Sequence, residues 1–330
     1  AYAVVTLESA TLFVDETKLN AAVRAHLGAE VAVEAYSSVG QFLKNTSSKG
    51  KVLADHTTLN WGLHSILGEA VVNSMSPVVL PKALKSESEE AGMRACQVRD
   101  GAALTAFLCW LEQSVTSGQT VTEFEAAQKL EEFRGKMDMH VSPSFATIAG
   151  YGPNGAIIHY KPEIGTSAVI GTDAPFLLDS GAQYLDGTTD TTRTVHFGTP
   201  SPRMKQCNTM VLKGHIALAK AVFPEETLGS RLDALARVPL WRLGLDYNHG
   251  TGHGVGAFLN VHEGPQGIGF RKRDNEQGFR AGMTVSNEPG YYEDGNFGFR
   301  IENICFCREE NTQNNFGGKR FLGFDTITWV

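Results

Sequence analysis

The residues whose types and spacing could do chemistry lie in the second half of the chain. Asp179 ends the apolar run Ala174-Pro175-Phe176-Leu177-Leu178, and Asp190 closes Gly187-Thr188-Thr189 eleven residues on. A carboxylate at the end of a core strand is destabilising unless it is paired or ligates a cation. His249-Gly250-Thr251-Gly252-His253-Gly254 sets two imidazoles among three glycines, so the backbone approaches something closely and presents ligands from it. His262 follows in Asn260-Val261-His262-Glu263-Gly264-Pro265. Glu288 stands in Ser286-Asn287-Glu288-Pro289-Gly290, and Glu302 in Phe299-Arg300-Ile301-Glu302-Asn303. Arg300 shares a strand face with Glu302 and would orient and partly neutralise the cluster.

Taken singly, each position also has a bland reading: a solvated strand-end charge for a glutamate, a hydrogen-bonded structural ring for a histidine. The aspartate pair alone is weak evidence. Together, four carboxylates and one imidazole supply mainly hard oxygen donors. Bridging carboxylates suit two divalent ions roughly 3.5 Å apart, a geometry that sandwiches a hydroxide. Manganese, cobalt and zinc all fit this set, whereas a mononuclear zinc site would show more His or Cys.

The elements that must position these groups follow from periodicity and turn residues. Asp186-Gly187 and Asp294-Gly295 are hairpin signals between the members of each acidic pair. A two-residue turn at Asp186-Gly187 would place Asp179 across from Thr194 and leave the two aspartates roughly 13 Å apart. A wider turn or a bulge is therefore expected there. The sequence predicts strands over 2–7, 10–14 and 30–35 with a helix over 18–27, then short alternating elements to about 73. Residues 74–86 carry Pro77 and Pro81 and read as a linker. Two capping boxes, Ser86-Glu87-Ser88-Glu89 and Thr122-Glu123-Phe124-Glu125, start helices running to about 115 and 137. Strands are expected over 144–149, 156–160, 176–184 and 188–197. Helices over 202–222 and 231–243 follow, then strands over 256–261, 284–288 and 297–307. Two helices and then strands, twice over, suggest a duplicated α+β half with a cleft between the two sheets.

Length and composition bound the function classes. The 330 residues suffice for two domains, and 42% hydrophobic with 20% charged residues excludes disordered and fibrous classes. The charge sum of 29 − 36 = −7 argues against nucleic acid as a partner. No apolar run approaches a membrane span. The five cysteines (Cys96, Cys109, Cys207, Cys305 and Cys307) are scattered and odd in number, which reads as a reduced, cytosolic set. The first residues read as a strand and not as a signal peptide, so the chain is expected to begin inside a folded element.

At this point the residues resemble a known family, the metal-dependent peptidases of the pita-bread fold, whose ligand order is Asp, Asp, His, Glu, Glu. Asp179, Asp190, His253, Glu288 and Glu302 match in order. Within that family the aminopeptidase P group is the most similar, on residues 152–160, 179–194, 211–222, 249–265 and 288–303. The resemblance implies an α+β pita-bread catalytic domain with pseudo-two-fold duplicated halves over 86–330. Before it, over 1–85, it implies a smaller non-catalytic α/β domain plus linker, the second of a three-domain form. A first domain and a C-terminal tail would then be missing from this chain. It further implies a cytoplasmic Xaa-Pro aminopeptidase, likewise a homodimer, acting on peptides with proline in second position. Two divalent ions, manganese first, would be its cofactors. Asp179 would chelate one metal, His253 with Glu288 the other, and Asp190 and Glu302 would bridge. Glu288, His262, His159 and His249 would be the catalytic groups, with His159, His249, His262 and Arg300 binding substrate. Asn287 departs from relatives that often carry Asp beside the ligand. Prolidase is the nearest alternative. Metal-free creatinase-like hydrolysis, methionine aminopeptidase and a non-catalytic binding protein on the same fold fit the intact ligand set and its surroundings less well.

Overall fold

Residues 1–271 and 276–330 are described in a computed structural model, which divides into two units, Ala1–Val78 and Val79–Val330. The first unit is a small α/β layer. Strands β1 (Tyr2–Val5), β2 (Ala10–Val14) and β3 (Val31–Ala35) form one sheet, antiparallel then parallel, with helix α1 (Ala21–Leu27) crossing between β2 and β3. Helix α2 (Val39–Ser47), strand β4 (Val52–Ala54), helix α3 (Trp61–Leu67) and strand β5 (Val71–Asn73) complete it, with β4 and β5 parallel. Asn20 and Asn60 cap α1 and α3 by accepting from backbone N–H groups three residues on.

The second unit opens where a linker was expected. Residues 79–83 form a short helix, α4 (Val79–Ala83), and Ala83 is fully buried against Leu218, Leu232 and Phe279. Proline at 81 is tolerated because its missing N–H falls in the first turn. Both capping boxes form as the sequence indicates, at Ser86–Glu89 before α5 (Glu87–Thr116) and at Thr122–Glu125 before α6 (Glu123–Arg134). Strands β6 (His140–Pro143) and β7 (Ile148–Tyr151) replace the single strand expected over 144–149. Next come β8 (Phe176–Ser180), β9 (Ala182–Tyr184), β10 (Gly187–Thr188) and β11 (Thr191–Val195). Helix α7 (Pro202–Ala219), strand β12 (Phe223–Pro224) and helix α8 (Gly229–Trp241) precede β13 (Gly252–His253) and β14 (Gly267–Ile268). Strands β15 (Thr284–Asn287), β16 (Gly290–Glu293), β17 (Phe297–Arg300), β18 (Asn303–Glu310) and β19 (Phe321–Thr326) close the chain.

Residues 156–160 are not a strand. A 3₁₀ turn over Gly152–Ala156 leads into a loop held by the buried Glu123, whose carboxylate accepts from Asn154 Nδ2 and the Tyr160 hydroxyl. Residues 256–261 are not a strand either. Leu259 and Asn260 adopt positive φ (62° and 53°), and the Gly256 N–H donates to Asn260 O in a closed turn.

Two hairpins set the geometry that matters. In the first, Thr191 pairs with Ser180, Thr192 with Asp179, Thr188 with Gln183 and Gly187 with Tyr184. The turn is therefore Leu185-Asp186, one place before Asp186-Gly187, which moves the partner of Asp179 from Thr194 to Thr192, and neither a wider turn nor a bulge in this hairpin is needed. The reason lies in packing. A Cβ on Gly187 would stand 2.4 Å from Cys96 Sγ and 2.9 Å from Met93 Cα, so this glycine serves close approach of α5 and not the turn. In the second hairpin, Asn287 pairs with Asn303 and Gly290 with Arg300, again one continuous register.

Candidate active site and metal centre

The first ladder lapses at Asp190 and the second at Glu288 and Glu302, while Asp179 stays paired with Thr192. Extending the first register puts Asp190 opposite Gly181, two residues from Asp179 and on the same face. Extending the second puts Glu288 directly opposite Glu302. The two hairpins meet along a seam at these groups. Thr192 Oγ1 donates to Glu302 Oε2 at 2.7 Å, and the Glu302 N–H donates to Thr192 O. Thr194 Oγ1 donates to Arg300 O, and Arg193 crosses to Glu302 O and Asn303 Oδ1.

The glycine-rich segment brings the imidazoles in. A Cβ on Gly252 would lie 1.9 Å from Ser286 O, so β13 can lie against β15 only with glycine there. His253 Nδ1 faces Gly254 O at 3.0 Å, which makes it the protonated nitrogen and leaves Nε2 free. That Nε2 stands 3.4 Å from both Asp190 Oδ2 and Glu288 Oε1. Ligand atoms of Asp190, His253 and Glu302 lie within 4.8 Å of one another. Asp179 and Glu288 line the same cavity of about 1030 Å³, as do His159, His249, His262 and Arg300. All nine residues singled out in the sequence thus face one space.

The electrostatics fit cations. Asp190 and Glu302 are buried, and burial followed by the charges of neighbouring carboxylates drives both pKa values well above the ordinary range. Burial also raises Glu288, against the pull of His253 and Arg300. Asp179 Oδ1 is buried with no hydrogen-bond partner, while its Oδ2 accepts from Arg300 Nη2 at 2.7 Å. One guanidinium facing four carboxylates leaves a surplus of negative oxygen donors, the set that divalent ions neutralise.

Arg300 is itself held in place. Its Nη1 donates to the Tyr292 hydroxyl at 2.6 Å and its Nε to Thr192 Oγ1 at 3.3 Å. Tyr292 in turn donates to His249 Nε2, whose Nδ1 faces Gly250 O. His249 is therefore engaged at both nitrogens, and burial with the Arg300 charge pushes it down to about 3. His262 stands open to the cavity with its ring centroid 4.1 Å from that of His253. Desolvation by the walls and the neighbouring His253 lower it, so it is a neutral N–H donor near pH 7. Sequence reading missed Thr192 and Tyr292. Thr192 could be found two places after Asp190, on its face, and Tyr292 eight places before Arg300 on the facing strand.

Comparisons with known proteins show what the chain is similar to. A family model described as metallopeptidase family M24 matches residues 91–309, and a creatinase/prolidase N-terminal domain model matches residues 1–89. A probable Xaa-Pro aminopeptidase P of Tuber melanosporum is 49% identical over all of this chain and 56% of its own length. The crystal structure of a Caenorhabditis elegans X-prolyl aminopeptidase, described as a cytosolic enzyme with a di-nuclear active site, superposes with a TM-score of 0.92 at 42% identity. The match covers 99% of this chain and 54% of that one. A Xaa-Pro dipeptidase from Bacillus anthracis gives 0.78 at 25% identity, over 99% and 86%. The chain spans about half the length of the curated relatives it matches.

Proposed function

Because the chain belongs to metallopeptidase family M24 and has that family's pita-bread fold after a creatinase/prolidase-type domain, we propose that it is a Xaa-Pro aminopeptidase. It removes an N-terminal residue that precedes proline. The observation that carries this reading is the convergence of Asp179, Asp190, His253, Glu288 and Glu302 on one cavity. Identity near one half to proteins named Xaa-Pro aminopeptidase P supports the substrate class.

In this reading Asp179 would hold one divalent cation and His253 with Glu288 the other, with Asp190 and Glu302 shared between them. Divalent cations held there would supply Lewis-acid chemistry, lowering the pKa of a water and polarising a carbonyl. Manganese is the proposed metal, with zinc or cobalt as substitutes. Arg300 fixes the orientation of Asp179, near which the substrate's free amine is read. Glu288 accepts the proton of the attacking water and passes it to the proline nitrogen, which as a tertiary amide has no N–H of its own. His262 donates to the developing oxyanion, and His159, at the cavity wall, positions the substrate beyond the scissile bond. His249 contributes a ring face and holds the Tyr292 hydroxyl. Residues 1–85 are assigned no chemistry. No described helix is long and apolar enough to cross a membrane. We place the protein in the cytoplasm as a homodimer, on its likeness to the cytosolic nematode enzyme and on the family pattern.

The test is an assay of three peptides after manganese loading: Ala-Pro, Ala-Pro-Pro and Met-Ala-Ser. Cleavage of Ala-Pro-Pro is the expected result. Cleavage of Ala-Pro alone turns the reading to prolidase, and cleavage of Met-Ala-Ser alone contradicts proline specificity.

A further inference from the structure

The loop bearing His253 and His262 is gripped from behind by a buried ion pair, and we infer that this pair, Lys85 with Glu263, sets the orientation of both rings. Lys85 Nζ lies 2.9 Å from Glu263 Oε1, and Lys82 Nζ lies 2.9 Å from Oε2. The Lys85 side chain is 1% exposed and that of Glu263 9%. Burying such charges costs desolvation energy that their attraction only roughly offsets, so a buried pair is poorly explained as a source of stability. Its connections point elsewhere.

The Glu263 N–H donates to Gly254 O at 2.8 Å. The same carbonyl accepts from His253 Nδ1, so one oxygen ties the position of Glu263 to the tautomer and tilt of His253. His262 immediately precedes Glu263, and its ring packs against that of His253. A Cβ on Gly254 would lie 1.9 Å from Glu263 O, and one on Gly256 would lie 2.9 Å from Glu263 Oε2. Those two glycines let the loop close around the carboxylate. The other end of the clamp is rigid: the Lys85 N–H donates to Gly282 O, the Gly282 N–H donates to Cys307 O on β18, and Ala83 is packed in the core. Lys85 and Glu263 are therefore positioning residues, acting through His253 and His262 without touching substrate. This inference rests on the peptidase reading for its consequence in turnover, but not for the geometry.

The test uses the whole chain with Lys85→Met, Lys85→Arg and Glu263→Gln. Imidazole ¹⁵N spectra are recorded with and without Zn²⁺, and kinetics on Ala-Pro-Pro with Mn²⁺. In Lys85→Met the His253 and His262 ring signals are expected to move or broaden. Those of His249, held by Gly250 O and Tyr292, stay in place. kcat is expected to fall ~10-fold or more with KM within about two-fold, the usual scale for groups that orient a ligand, and Lys85→Arg recovers most of it. Should Lys85→Met not fold, Glu263→Gln, which keeps the side chain's shape, carries the same expectations. Unmoved His253 and His262 signals, or wild-type kcat in the charge-removing variant, would overturn the inference. A wild-type chain that cleaves no Xaa-Pro peptide counts against the peptidase reading alone, since the ring signals decide the clamp either way.

Discussion

The aspartate hairpin, β8 to β11, breaks its ladder at Asp190 and the glutamate hairpin, β15 to β18, at Glu288 and Glu302, and the two bring their carboxylates together by different offsets. In the first, a two-residue turn and a continuous register set Asp179 and Asp190 as diagonal neighbours. In the second, a three-residue turn over 294–296 sets Glu288 and Glu302 directly opposite each other. Each hairpin also sends one arginine across the seam. Arg300 of the second reaches the Asp179 carboxylate, whereas Arg193 of the first reaches no carboxylate across the seam but Glu302 O, the Asn303 amide and Val330 O. The architecture is shared, and the charges are not used symmetrically. One arginine belongs to the chemistry and the other to the joint.

The largest expected effect ignores that asymmetry. Asp190→Ala and Glu302→Ala, one from each hairpin, each remove turnover of Ala-Pro-Pro by roughly three orders of magnitude or more, as for groups acting as one unit. Normal turnover in either variant breaks the equivalence of the two halves. Next in size is the contrast between the arginines. Arg300→Lys keeps the charge but loses the fork that holds Asp179, Tyr292 and Thr192 together, so kcat falls about 10- to 100-fold. Arg193→Lys lowers thermal stability by about 1–3 kcal/mol through lost hydrogen bonds while kcat stays within a few-fold. Equal kinetic losses would show that the asymmetry is only geometric. A smaller effect separates the glycines. Gly181→Ala puts a Cβ 2.0 Å from Thr189 O, which is backbone, so about 2–3 kcal/mol of stability is lost on denaturant melting. Gly290→Ala meets the Tyr292 hydroxyl at 2.4 Å and its ring carbons at 2.8 and 2.9 Å. It shows itself in kcat as well as in stability, through the displaced hydroxyl that Arg300 and His249 share.

Much of this was legible because local chemistry spoke without competition. The capping boxes at Ser86 and Thr122 satisfy helix N–H groups whatever packs nearby, and both form as read. The glycine-flanked histidines pointed to close approach, and Gly252 against Ser286 O is that approach. Where tertiary packing used the same residue types, local reading failed. Asp186-Gly187 looks like a turn, but the carboxylate pairs with Arg99 and the glycine makes room for α5, so the turn sits one place earlier, at Leu185-Asp186. Residues 156–160 have an apolar pattern, yet Glu123 captures Asn154 and Tyr160 and bends the segment away from any ladder. The prolines of 74–86 suggested a linker, while Ala83 and Leu84 found a core built from distant α7, α8, β15, β18 and β19. Thr192, Tyr292 and Lys85 act through partners about 100 or more residues away in two cases and through a cross-strand neighbour in the third, contacts that single-chain periodicity does not carry.

The central claim is that these two hairpins and one histidine grip a pair of cations. Counting ions tests it most directly: metal-free chain is dialysed to equilibrium against saturating Mn²⁺ near neutral pH, and bound manganese per folded chain is measured by elemental analysis. The expected result is two ions per wild-type chain and fewer in Asp190→Ala. A wild-type chain that saturates with one ion, or takes up none while fully folded, would contradict it.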